Sequence, residues 1–221
     1  MSDPRPFQVE VGIGVPREEV WRAVTEPERI REWFGWDYDG LEDEIRLIFG
    51  EHARPVPPDR IEFGDQRFEL LSDGARRTIV RAIMPGSLDD ADWDDVYDEL
   101  EEGWRTFLEQ LRFRLEVHPG EHERRRTLRL AGTAAGGAVI QALAALGTKE
   151  VWHDSLRQHM VVDREGFLAG VAAQRPLADP QAGPLAVTVT AYGLGEGEFA
   201  EVRERWSAWW RGLVPDGTVA P

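Results

Sequence analysis

The residue types that could do chemistry fall in a few short stretches. Gly132-Thr133-Ala134-Ala135-Gly136-Gly137 sits between an apolar strand pattern and an apolar helix, with Asp154 beyond the next strand. A glycine turn at a helix N-terminus can seat a pyrophosphate, and a later acid can hold a ribose hydroxyl. The stretch departs from the G-x-G-x-x-G fingerprint, and strands without crossover helices follow it. A tight turn with close helix packing is therefore the favoured reading. Gly193-Leu194-Gly195-Glu196-Gly197 reads as a flexible turn, because Glu196 would repel phosphate. The acidic run Asp89, Asp90, Asp92, Asp94, Asp95, Asp98, Glu99, Glu101 and Glu102 has the ligand chemistry of a calcium or magnesium site. It lacks the EF-hand spacing and glycine, and it opens a long helix whose dipole favours negative charge there. A solvated helix start is the plain reading, and a face that docks a partner protein comes next.

The histidines offer less. His153-Asp154-Ser155 holds triad residue types, but neighbours on a strand point to opposite faces and cannot form a relay. Pro119-Gly120 breaks the helical spacing between His118 and His122, and His52 is isolated. His153 and His159 could share an ion only if the chain turns between them. No metal site, no cofactor and no catalytic residue are expected. The chain has no cysteine, which excludes disulfides and thiolate chemistry.

The elements that must position these residues follow from apolar spacing. Phe7, Val9, Val11 and Ile13 alternate as in a half-buried strand. Pro16 opens a short helix with Val20, Trp21 and Val24 on its apolar face, and Pro27 stops it and starts another. Residues 42–49 fit helix or strand, since Leu41, Ile45 and Ile48 also form a helical stripe. Pro55, Pro57 and Pro58 read as a link. Strands follow over residues 60–63, 67–71 and 75–83, with Asp73-Gly74 as a hairpin turn and Pro85-Gly86 ending the sheet. Trp93, Val96, Tyr97, Leu100, Trp104, Phe107, Leu108, Leu111 and Leu115 recur at threes and fours, the stripe of one long helix. The second half echoes this order, with a strand over 127–131 and a helix over 134–146. Strands over 150–152, 157–162, 167–173 and 185–192 and a helix over 198–213 complete it. Two domains are expected, 1–120 and 121–221. Trp206, Trp209 and Trp210 read as core or as a dimer interface.

A strand feeding two short helices that end in Trp33-Phe34 resembles the start of a START-like (SRPBCC) helix-grip domain. The nearest likeness is to the branch of activator of Hsp90 ATPase homologues. Pro57-Pro58-Asp59-Arg60-Ile61 is similar to that family's proline pair before a strand. Gly103-Trp104, with Phe107, Leu108 and Leu111, is similar to its Gly-Trp on the final helix. The likeness covers roughly residues 7–118. It implies an α+β fold, an antiparallel sheet wrapped on a long C-terminal helix. The second α+β region reads as a degenerate repeat, and similar tails follow the domain in some bacterial relatives.

The resemblance also implies an apolar cavity between helix and sheet. Trp33, Phe34, Trp36, Tyr38, Phe49, Phe63, Phe68, Tyr97, Trp104 and Phe107 are its candidate walls. Tyr38, Tyr97 and Arg81 are the groups that could orient a ligand. The expected function is binding of a small apolar or aromatic molecule without catalysis. A co-chaperone or regulatory module docking through the acidic helix start is the second reading. A cavity-shaping enzyme such as a cyclase or hydrolase is the third.

Charge narrows the partners. The net charge of −15 is uneven, with 15 basic and 29 acidic side chains in residues 1–118 against 11 and 12 in the rest. A net-negative surface repels phosphate backbones, so no nucleic acid and no membrane partner is expected. Arg124-Arg125-Arg126 with Arg129 is too short a cluster to reverse that and reads as a solvated strand start. No stretch approaches the roughly 20 apolar residues of a membrane span, and residues 1–6 lack a signal pattern. A cytoplasmic protein is expected, with a homodimer or a protein partner left open.

Overall fold

The computed structural model describes residues 7–84, 94–120 and 123–220. These divide into two compact units, one of residues 7–35 and 39–120, the other of 36–38 and 123–220. Pro85, Gly86, Asp89, Asp90, Asp92, Trp93 and His122 lie outside the described residues, as do the side chains of residues 94–99.

In the first unit β1 (Phe7–Ile13) leads to α1 (Arg17–Thr25), α2 (Pro27–Ile30) and α3 (Leu41–Ile45), which runs into a π-type turn over Arg46–Glu51. Strands β2 (Ala53–Val56), β3 (Arg60–Phe63), β4 (Gln66–Ser72) and β5 (Thr78–Met84) form a meander, and α4 (Asp94–Val117) follows. The sheet order is β1-β5-β4-β3-β2, all antiparallel. Val9 and Val11 lie opposite Ala82 and Val80, so their side chains share one sheet face. Val20, Ala23 and Val24 of α1 and Leu108 and Leu111 of α4 bury in the same core. This is the helix-grip architecture.

Local chemistry sets the helix ends. The Pro16 carbonyl accepts from Glu19 N–H at 3.0 Å, so Pro16 is the cap residue rather than the first helical one. Pro27 is the first residue of α2, where its missing N–H costs nothing. Near the end of α4, buried Arg114 donates to the Gly120 carbonyl at 2.6 Å and pairs with Glu32 at 2.9 Å. A cation there complements the helix's exposed carbonyls.

Two stretches differ from expectation or decide between alternatives. Residues 42–49 are helical, with Leu41 and Ile45 buried. The stretch read as a proline link contains β2, with Pro55 inside it. Pro55 is tolerated because β2 is a sheet edge, where a strand can spare a ladder donor.

The second unit contains β6 (Arg125–Ala134), α5 (Gly136–Leu146), β7 (Thr148–Asp154), β8 (Gln158–Asp163), β9 (Leu168–Ala173) and β10 (Gly183–Tyr192). Helix α6 (Glu196–Leu213) and β11 (Thr218–Ala220) end it. Its sheet order is β11-β6-β10-β9-β8-β7. Apart from β11, which the sequence did not disclose, this repeats the first unit: first strand beside last, the others a meander. Leu128, Leu130, Val187 and Val189 share a core with Phe199, Val202, Trp206 and Trp210. Trp206 and Trp210 are 2% and 0% exposed, so these two rings are core.

The glycine-rich stretch is a packing device. Gly132 lies within β6, and a Cβ there would sit 2.7 Å from the Val214 side chain. At Gly136, the first residue of α5, a Cβ would lie 3.0 Å from the Leu177 Cα and 3.1 Å from its oxygen. At Gly137 the nearest atom is the Leu177 oxygen at 3.6 Å, an ordinary contact. No helix among the described residues is long and apolar enough to cross a membrane.

Two outcomes are expected. Gly136→Ala should cost roughly 1–3 kcal/mol in urea unfolding, because its methyl meets backbone that cannot yield cheaply. Gly137→Ala should be neutral or stabilise by up to about 1 kcal/mol, since Ala is the better helix former and has room. The second concerns Asp163, whose Oδ1 accepts from the Glu165 and Phe167 N–H groups, both at 2.9 Å. Burial nevertheless raises its pKa. A raised folded pKa gives stability that is complete below the unfolded value, near pH 4, and lost as pH rises through the folded value. Asp163→Asn keeps an acceptor without a charge. Its stability relative to the parent should therefore rise with pH above about 4 and level out below it, as followed by urea midpoints across pH.

Candidate functional site

Seven of the proposed wall residues meet in the first unit as one continuous cluster of rings. Trp33 and Phe34 follow α2, Phe49 rides on the π-type turn and Phe63 ends β3. Phe68 lies on β4, and Trp104 and Phe107 lie on α4. Phe34 is at the centre, with ring centroids 5.8 Å from Trp33, 5.0 Å from Phe49, 6.0 Å from Trp104 and 4.9 Å from Phe107. Phe49, Phe63, Phe68 and Trp104 continue as a chain at 5.4, 5.1 and 5.1 Å. Most of these pairs are edge-to-face, the arrangement that ring quadrupoles favour.

Burial separates the cluster into floor and rim. Trp33 is 0% exposed and Phe34 and Phe68 are 2% exposed, and the Trp33 indole donates to the Ala23 carbonyl at 2.8 Å. These three are core. Phe49, Phe63, Trp104 and Phe107 are partly exposed and pack against that core. Together they offer apolar faces and edges to a planar molecule.

Three proposed residues stand elsewhere, and a fourth lies outside the described side chains. Gly35 takes a φ of 70°, which redirects the chain after Phe34. Trp36 and Tyr38 belong to the second unit. There Asp37 N–H donates to the Thr127 hydroxyl at 2.5 Å, Thr127 N–H donates back to Asp37 at 2.9 Å, and the Arg129 guanidinium stacks 4.0 Å over Trp36. Tyr97 lies in α4 with its side chain outside the described residues. Arg81 points to the sheet face opposite the core, between buried Val80 and Ala82. It pairs there with Glu10 at 2.5 Å and Glu69 at 3.4 Å, so it does not reach the rings. A hydrogen bond from Arg67, with the charges of Arg67 and Arg81, outweighs burial and holds the Glu69 carboxyl below its usual pKa.

The second unit resolves the remaining motifs. The chain does turn after His153, and His159 Nδ1 sits 2.9 Å from Asp154 Oδ1 across the β7–β8 hairpin. Ser155 Oγ accepts from Gln158 N–H at 3.0 Å, closing the same turn. Arg124 and Arg126 both pair with Glu196 at the start of α6, so the arginine run is offset by its own chain. Those two guanidinium groups, Arg126 foremost, hold the Glu196 carboxyl below its usual pKa. An open depression of about 340 Å³ is lined by Ile140, Asp154, Ser155, Leu156, Leu177 and Ala178. The sequence had not singled it out, because its lining comes from three separate segments. Among the described residues no three His, Asp or Glu side chains gather as a metal site.

No protein-family model and no curated protein matches the chain. Among solved structures it is similar to DynU16, a protein of the dynemicin biosynthetic locus, at 19% identity over 95% of this chain and 96% of that one, TM-score 0.35. It is similar to the di-domain ARO/CYC BexL from the BE-7585A biosynthetic pathway at 13% identity over 95% and 98%, TM-score 0.37. Over 52% of this chain and 99% of that one it is similar to Aha1 from Colwellia psychrerythraea, at 16% identity and TM-score 0.38. The fold assignment rests on the two strand orders and the helices described above.

Because Arg81 serves the outer face, Arg81→Ala should cost less than about 1 kcal/mol at pH 7. A lowered folded pKa at Glu69 gives stability present above the unfolded value and lost as pH falls through the folded one. The gap between parent and variant should therefore close in acid, below about pH 4, when thermal unfolding is followed across pH.

Proposed function

We propose, from the premise that both units have the START-like helix-grip fold, that the first unit binds a small apolar or aromatic molecule at the ring cluster between α4 and the sheet. The observation that carries this is the split of one continuous ring cluster into a buried floor and a partly exposed rim. The four rim rings form one contiguous apolar margin, the kind of surface that a planar apolar molecule can cover. The proposed act is binding, with no catalytic step assigned.

Magnitudes constrain the ligand. Micromolar affinity corresponds to about 8 kcal/mol, and apolar burial supplies about 25 cal/mol per Å². About 330 Å² must then leave water, ligand and walls together, before any cost of association. A single ring leaves little surplus once the cost of association is counted. Two or three fused rings bury more area and are the better match.

The test is a thermal-shift titration with neutral naphthalene- and anthracene-type compounds, with native against denatured mass of the freshly purified protein. A ligand of the folded state must raise the melting temperature. Trp104→Leu and Phe107→Leu keep an apolar side chain but remove rim rings, and each should weaken binding at least tenfold. If no compound shifts the melting temperature and the two masses agree, the reading fails.

A further inference from the structure

We propose that Phe49 is a plug: its ring fills the place that a ligand's ring takes, and the π-type turn Arg46–Glu51 carries it aside when the ligand binds. The inference rests on the ligand-binding reading of the first unit, and it adds a residue that controls admission and size. Its starting point is the contrast between Phe49 and the other six rings in what holds them.

Phe49 has the contacts a ligand would want. Its ring stands edge-to-face against Trp33 at 5.9 Å and 82°, Phe34 at 5.0 Å and 76°, and Phe63 at 5.4 Å and 84°. A planar aromatic molecule can reproduce all three from the same position. The floor of that position, Trp33 and Phe34, is buried and would stay in place.

Phe49 rides on a segment with no fully buried residue of its own: the turn continues from buried Ile45 of α3, and only the half-buried Ile48 packs with Phe49 against the core. By contrast, Phe63 shares β3 with buried Ile61, and Phe68 lies beside buried Leu70 on β4. Trp104 and Phe107 share α4 with Leu108 and Leu111, both fully buried. Leu47 in the turn is 45% exposed, and exposed Gly50 directly follows Phe49. The turn closes with His52 N–H on the Leu47 carbonyl at 3.0 Å, the wide π spacing. A π turn is a rare helical form that recurs at functional sites. Few buried apolar contacts are a feature of a segment that opens at low cost.

The slot left by Phe49 defines a ligand class. Its described walls are Trp33, Phe34 and Phe63, and the Trp33 donor is already taken by Ala23. An anionic group there would lose hydration without gaining a donor from these three rings. The occupant is a neutral planar ring system, one ring of which replaces the Phe49 phenyl.

The test is stopped-flow tryptophan fluorescence with 1-naphthol on the parent, Phe49→Ala and Phe49→Leu, the leucine variant serving if the alanine variant fails to fold. In the parent the observed rate should level off at high 1-naphthol, because opening precedes binding. In the variants the association rate should rise at least tenfold and the plateau should disappear. The protein has no cysteine, so bimane on Leu47→Cys is a single-site reporter of the turn, and its emission should change as 1-naphthol binds. Equal rates in parent and variants, or an unchanged bimane signal during binding, would overturn the plug and leave the ligand reading standing. Binding by the variants alone would make Phe49 plain core and also overturn it. No binding by any of the proteins would remove the ligand reading, and the plug with it.

Discussion

Both units depend on one pairing, that of the first strand with the last. In the first unit Phe7 lies opposite Met84 and Ile13 opposite Thr78, and in the second Arg125 lies opposite Tyr192 and Ala134 opposite Gly183. Each pairing closes a long loop of chain, and that closure must be offset by what it buries. In the first unit the return is Val9, Val11 and Ile13, all nearly fully buried against Val80 and Ala82. The closure also dictates the rest. Everything between the paired strands must lie on one face or continue the sheet at its far edge, and the helix after the last strand packs on that same face, where α1 and α4 share one core. Without β1, the strand β5 would become a bare edge and the core would lose one wall.

Much of this was legible because the strands alternate and the long helices carry continuous stripes. The places where reading failed are those where two patterns coincide. In β5, Thr78, Val80, Ala82 and Met84 face the core, but Ile79 and Ile83 flank Arg81 on the other face. Both faces look apolar, so parity could not say which way Arg81 points. Trp36 and Tyr38 follow Trp33-Phe34 so closely that they read as one aromatic patch. The positive φ of Gly35 separates them, and a lone glycine is a weak signal of that. Pro55 hid an edge strand, since proline argues against strands only where a ladder donor is needed. The three residues of β11 were too few to show a period.

The seven-ring cluster was found for a sound physical reason. Large aromatic side chains on elements that share a core must meet one another, and their packing leaves few other arrangements. What the sequence could not supply was the division between floor and rim. That depends on which ring sits on a segment with buried neighbours, and so on the turn at Arg46–Glu51. A helical stripe predicts the side of the helix on which Phe49 lies. It does not predict that the helix widens there.

The closing helices put the same spacing to different use. Trp104, Phe107, Leu108 and Leu111 on α4 match Trp206, Trp209, Trp210 and Leu213 on α6, position for position. In the second unit Trp206 and Trp210 are sealed in a core with Val139 and Leu143 of α5, and their indole N–H groups find no acceptor among the described residues. Leaving a buried donor unpaired costs about 1–3 kcal/mol, so packing must outweigh it. Gly132 and Gly217, whose missing Cβ atoms leave room for the Trp210 ring, make that packing dense. In the first unit the corresponding wall is not a single glycine-fitted helix but three short ones and a turn, and Trp104 stays partly exposed. The same fold therefore yields one core filled by its own closing helix and one whose last ring is contributed by a weakly held turn. The second arrangement is the one that leaves room for an exchange of rings.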